Sequence, residues 1–420
     1  MSPKVVLAAL SLFNAQTMST QRIHLMSSAQ RSRVASDAAD ALGRLSETET
    51  QDQASVFVGF DGFVDTICRV ARVRSGPNAH NADQMTSMRE LAQRISDAAG
   101  KSANIELLVN RVKIGGNGPI LALALATLGA RVRCMGAVAD PVDEQSVDPM
   151  FGDLAKRCAH VVPLAPPGRT DALEFGDGKV MLGKIATLAA ITWDRVVDAV
   201  GGPGALRAML AQSSVIVTAN WTMLPGMNEI WRNLASDILP ALPQSRQRCV
   251  FVDLADPARR SDDAVLGALE TLGDLNAQAP VTLGLNAAEA LRMGELTHAA
   301  FPPFDNDSDG EADLAFVHMA ATALGDALPV SEVVVHTRSA VAGCSVTEDC
   351  AMRTAFTPRP EISTGAGDHF NAGFCLGLAL GFPMAQRLAI GVGVSGLYVR
   401  KGEPPDRQAL DAFLRTMPGQ

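Results

Sequence analysis

The chain has 420 residues, 47% of them hydrophobic, enough to fill the core of one large α/β domain or two ordinary ones. Lys and Arg number 36 against 45 Asp and Glu, a net charge of -9 without a basic cluster, so nucleic acid is not expected as a partner. The seven cysteines are scattered and never spaced as C-x-x-C, which argues against a disulfide framework or zinc site and fits a reducing cytoplasm.

In chain order, residues 1–50 read as an extension, weakly ordered or helical. The apolar run Val5–Leu10 faintly resembles a signal segment but lacks an A-x-A cleavage site. Met18 and Met26 are alternative starts, and one helix is expected from about Ser27 to Leu45. From Val56 onward, short apolar runs alternate with helical patterns, which predicts a mostly parallel sheet covered on both faces. Expected strands are Val56–Gly59, Val132–Gly136, Val215–Ala219, Cys249–Leu254, Thr282–Leu285 and Val333–Thr337. Expected helices are Ile120–Leu128, Pro225–Ile238, Asn286–Met293 and Asp368–Leu380. The apolar stretch Ala372–Phe382 is far shorter than the ~20 residues a membrane-spanning helix needs, so no membrane is expected.

Ile67–Arg74, Ile105–Ile114 and Ala172–Lys184 alternate apolar and polar residues as exposed strands do, the last around a Gly176-Asp177-Gly178-Lys179 hairpin signal. They are expected to form a small sheet that closes over a cleft as a lid, or pairs with a second subunit. Edge strands of the main sheet are the alternative.

Five motifs carry chemistry. In Gly59-Phe60-Asp61-Gly62-Phe63-Val64-Asp65 a strand runs into a loop with two acids, where a carboxylate can hold sugar hydroxyls; Asp65 is the preferred anchor and Asp61 the second. Both could instead merely shape a turn. Gly115-Gly116-Asn117 opens a helix, and its missing side chains let a ligand approach while Asn117 offers donors and an acceptor to hydroxyls. A tight turn explains the glycines equally well. Asn286 and Glu289 stand one turn apart, either to hold Mg²⁺ through waters beside a triphosphate or as N-cap and N3 of a capping box. Thr337 and Ser339, after a buried strand, are candidate nucleotide contacts, as is the small-residue helix Ile390–Tyr398, with core packing the alternative for most of these residues.

The last motif, Ser363-Thr364-Gly365-Ala366-Gly367-Asp368, is a glycine-bracketed turn before a long apolar helix. Amides at a helix start lack internal partners and carry the positive end of its dipole, so Gly365, Ala366 and Gly367 form a candidate anion hole. Asp368 would accept a proton from an attacking hydroxyl. Its alternative role is an N-cap.

In their shared order these motifs resemble the PfkB (ribokinase-like) family of carbohydrate and nucleoside kinases, over about Val56 to Pro404. The strongest likeness is Gly365-Ala366-Gly367-Asp368 with Phe370, Gly373 and Phe374, supported by Gly115-Gly116 and Asn286–Glu289. The resemblance implies a three-layer α/β/α domain over residues 51–420 with a β-sheet lid. It further implies ATP as phosphoryl donor, Mg²⁺, a frequent monovalent-cation activator and a small sugar or sugar-like acceptor. Asp368 would be the general base and Glu289 part of the metal–phosphate network. The sequence departs from the family pattern at Ile362 and Ser363, which replace Asp and Thr, and at Ser339, which replaces Gly. Ile362 puts potassium activation in doubt. The Asn usual after the paired glycines is displaced, with Ile120 in its place. A nucleoside kinase and a catalytically weak ligand-binding regulator are the alternative functions.

Two motifs are read as decoys. Gly391-Val392-Gly393-Val394-Ser395-Gly396 fits a dinucleotide fingerprint but has no following strand pattern, so helix packing explains it better. Asp305–Gly310 starts like a calcium loop, yet its twelfth position is Phe316 rather than Glu.

Overall fold

Phe57 and Val58 are adjacent in one strand, yet they belong to different hydrophobic cores, because a strand's side chains alternate between faces and both faces of this sheet are covered by helices. The computed structural model describes residues 25–73, 83–243, 248–304 and 310–417. The Val5–Leu10 run, Met18, Arg74 and Asp305–Asp309 lie outside them. In chain order the strands are β1 Ser55–Phe60, β2 Phe63–Val73, β3 Asp83–Gln84, β4 Leu107–Gly115, β5 Arg131–Gly136, β6 His160–Pro163 and β7 Gly168–Phe175. They continue as β8 Gly178–Lys184, β9 Val215–Ala219, β10 Cys249–Asp253, β11 Val281–Asn286, β12 Glu332–His336, β13 Ala340–Ser345 and β14 Asp349–Arg353.

Among the described residues the larger sheet runs in the order β14-β13-β12-β11-β10-β9-β1-β5-β6. Its pairs are parallel from β6 to β12, and β13 and β14 add an antiparallel edge. The order reverses at β1, which pairs β5 on one side and β9 on the other. Parallel strands end on one edge, and there β1, β9, β10, β11 and β12 deliver Asp61, Asn220, Asp253, Asn286 and His336. The fold is the three-layer α/β/α architecture expected.

The second sheet is the expected lid. In it β2 pairs β4 and β3 antiparallel and β7 parallel, while β7 and β8 form a hairpin. Helix Met88–Asp97 contributes Leu91 to a cluster with Cys68, Val70, Met85, Leu173 and Phe175 on one lid face. β2 begins at Phe63, four residues before the alternating pattern, because Phe63 and Val64 are buried and so do not alternate. β4 starts at Leu107 rather than Ile105.

The N-terminal helix agrees with expectation, and two other features differ from it. Ser27 caps the helix Ser28–Gly43 through a capping box with Gln30, and that helix buries Ala35, Ala38, Ala39 and Leu42 in the core against helices Met384–Lys401 and Arg407–Arg415. The helix expected from about Ser27 to Leu45 is thus present, and from Ser28 it packs on the body of the protein. The helix expected over Pro225–Ile238 is α-helical only at Met227–Asn233 and becomes a π turn at Leu234–Ile238. β6, β13 and β14 have no counterpart among the expected strands: β6 is four residues long, and Ala340–Ser345 is too rich in small residues to carry a strand signature.

Candidate active site

Gly365 has φ +90° and is the N-cap of helix Ala366–Ala379, a backbone shape that favours glycine. A Cβ there would also lie 3.1 Å from the Tyr398 hydroxyl. Helix Met384–Lys401 braces this turn: Tyr398 Oη donates to Thr364 O (2.8 Å) and Ser395 Oγ to Ala366 O (2.9 Å). Ala366 N–H closes onto Ser363 O at 3.2 Å. Asp368 is the third residue of the helix and makes no cap bond, so the N-cap alternative is excluded.

Asp368 instead receives Nδ2 of Asn117 at 2.8 Å on its Oδ1. Burial, with Asp253 and Asp61 nearby, pushes its carboxyl well above the usual range, opposed by the Asn117 bond and the Lys113 charge. Such a carboxyl holds a proton more readily than an exposed one, as a general base must during transfer.

Asp61 is only 1% exposed, and three N–H donors converge on it: Asn117 N (2.9 Å), Gly118 N (2.7 Å) and Asn220 Nδ2 (2.8 Å). Burial raises it to about 6 despite these bonds. It therefore organises the start of helix Asn117–Thr127, a correction to the expectation that it offers itself to a sugar. The Asn117 side-chain amide donates to Asp368. Asp65 lies on β2, opposite Lys113 of β4 and Thr170 of β7. Burial raises its carboxyl, while Lys113, the Thr170 hydroxyl and Lys179 oppose that rise. The paired glycines are explained by these acids: a Cβ on Gly115 would sit 2.4 Å from Asp65 Oδ2, and one on Gly116 3.0 Å from Asp61 Oδ2.

Asp253, at the end of β10, is a site residue that the motifs did not single out. It accepts from Asn371 Nδ2 (2.9 Å), one turn beyond Asp368, and from Ala255 N (2.9 Å). Burial and the Glu289 charge raise it to about 8. The sequence marks it only as an acid closing an apolar strand.

Beyond the Gly365 turn opens a cavity of about 760 Å³, lined by Asn286, Thr337, Ser339, Ala366 and Gly367, with Phe304 and Phe356 among its apolar walls. The volume and mixed lining suit a nucleotide. Thr337 Oγ1 accepts from Ala340 N (3.0 Å) and shapes the turn, while Ser339 donates to the buried Asp313, giving the residue that replaces glycine a partner. Glu289 completes the capping box with Asn286 and accepts from Asp256 N at 2.9 Å, so the capping alternative holds. From the lid, Lys179 donates to Thr364 Oγ1 and joins β8 to the anion-hole loop.

Solved structures share this sheet and lid. Ribokinase of Thermotoga maritima superposes with a TM-score of 0.54 at 18% identity, covering 86% of this chain and 98% of that one. The Arabidopsis thaliana ribokinase complexed with ribose and ATP gives 0.52 at 15% identity, with coverages of 86% and 98%. These likenesses show a ribokinase-like fold. Sequence goes further: a ketohexokinase of Haloferax volcanii is 28% identical over 373 residues, 88% of this chain and 93% of that relative. The chain belongs to the prokaryotic ketohexokinase family, which it matches over residues 34–417, and is an ATP-dependent sugar kinase, a phosphotransferase acting on an alcohol group.

Proposed function

We propose that the acceptor is a ketohexose, that Asp65 anchors its hydroxyls under the lid, and that Asp368 takes the proton of the attacking hydroxyl. Amides of Gly365 and Gly367 face the transferring phosphoryl of ATP, whose nucleoside occupies the cavity beside Asn286, Thr337 and Ser339, while the Ala366 N–H expected beside them is taken by Ser363 O. What supports this reading is the neighbourhood of Asp368: Asn117, directly after Gly115 and Gly116, donates to it, and Ala366 and Gly367 on its own helix line the cavity. The family description and the named relative support the ketohexose.

Asp253 and Glu289 are buried neighbours whose charges oppose one another, a donor set that a divalent cation relieves. Mg²⁺ keeps most of its hydration and needs few protein ligands, so Glu289 and Asp253 would hold it through water. Bound there, it would neutralise charge on the phosphates. Ile362 and Glu361 both donate their main-chain N–H to Val399 O, and with no acid at position 362 we expect no potassium stimulation. The lid's exposed Val109, Val112, Met181 and Leu182 fit pairing with a second copy of the chain. No helix among the described residues is long and apolar enough to cross a membrane, and the free cysteines suit the cytoplasm.

Measuring ADP release with ketohexoses, aldohexoses and nucleosides tests the acceptor. We expect kcat/KM for a ketohexose to exceed the other classes by about 10-fold or more. A nucleoside as the best acceptor overturns the reading.

A further inference from the structure

Four chain segments that converge on the site are tied by one run of hydrogen bonds. Asn220, after β9, donates to Asp61, after β1; Asp61 accepts the main-chain N–H of Asn117; and the Asn117 side chain donates to Asp368 on the next helix. Nothing in this run is free to drift. Asp61 and Asn220 are buried, and Gly116 and Gly118 press against the Asp61 carboxylate so closely that a Cβ would lie 3.0 and 2.7 Å from it.

We propose that Asn117 is a positioning residue for the base: its carboxamide holds Asp368 Oδ1, leaving Oδ2 to take the hydroxyl proton, and its main chain fixes the base relative to the floor of the sugar recess. This rests on Asp368 being the base. An amide suits the task because it donates without titrating, so it orients the carboxylate and favours its charged form at every pH where the enzyme works. The groups facing Asp368 comprise Asp61 and Asp253 from the strand ends, Lys113 from the lid and Tyr398 across the turn. Of these only Lys113 is cationic, and Asn117 supplies the hydrogen bond. Without that bond the two acids and burial act on the base with less opposition.

The test is kcat and KM against pH for the full chain, with ATP and its best sugar acceptor, in wild type and in Asn117→Ala, Asn117→Asp and Asp368→Asn. In Asn117→Ala the acid limb of kcat is expected to move up by about 1 pH unit, because a bond to the charged form is lost. Its kcat at neutral pH should fall about 10-fold and largely recover in alkali, with KM for ATP unchanged. Asn117→Asp keeps the size of the residue and puts a second carboxylate on the base, so its limb should move further. A raised KM for the sugar with both acid limbs unmoved would make Asn117 a sugar ligand or a plain turn residue and overturn the inference. Wild-type turnover in Asp368→Asn would overturn the base assignment itself, so the two failures are distinguishable.

Discussion

At the scale of single residues, three acids of the site are each held by an amide side chain: Asp61 by Asn220, Asp368 by Asn117 and Asp253 by Asn371. Amides satisfy buried carboxylates without adding charge, which leaves the acids with raised proton affinity rather than neutralised as ion pairs. Glycine is required where these acids crowd the main chain. Gly115→Ala would drive a methyl group into Asp65, and a displacement of the sugar anchor by about 1 Å should cost on the order of 10²-fold in kcat/KM for the sugar. KM for ATP should stay near wild type, because Gly115 is absent from the nucleotide cavity. Equal losses toward sugar and ATP would show instead a general collapse of the site.

At the scale of elements, helices Ala366–Ala379 and Met384–Lys401 pack through small residues: a Cβ on Gly373 would meet Ile390 O at 2.8 Å, and one on Gly391 the Phe370 ring at 2.7 Å. This contact holds the Gly365 turn against Tyr398 and Ser395. Gly373→Ala should therefore destabilise the fold by about 1–3 kcal/mol in urea unfolding. Unchanged stability would mean that the helices separate freely. Close packing explains the G-x-G-x-x-G at Gly391–Gly396, read from the sequence as packing: Gly391 faces Phe370, Gly393 faces Leu410 and Leu414, and Gly396 faces Ala355 and Phe413. The strand ends and the glycine-to-helix junctions were also legible, because apolar runs, glycine pairs and flanking acids are local signals. The destination of each side chain was not. Asp61 and Asn117 carry the chemistry of sugar ligands, and only the long-range approach of β9 and helix Ala366–Ala379 shows that they bind Asn220 and Asp368. Asp253 escaped notice because an acid after a strand acquires meaning only from its neighbours in the folded sheet.

At the scale of the whole molecule, the lid hairpin reaches the loop before Gly365 through Lys179 and Thr364, while Val112 of β4 and Leu182 of β8 stay exposed. Exposed apolar side chains on a lid gain from burial against a second surface. Light scattering should give a dimer, and Val112→Ser with Leu182→Ser should return the monomer; a wild-type monomer at micromolar concentration would contradict pairing through the lid. The central claim concerns the meeting of the base with the phosphoryl cradle, and the direct measurement is steady-state turnover of Asp368→Asn at saturating ATP and ketohexose, beside its thermal unfolding. A loss of about 10²–10⁴ in kcat with a native melting curve is the expected result. Full turnover in that variant would contradict it.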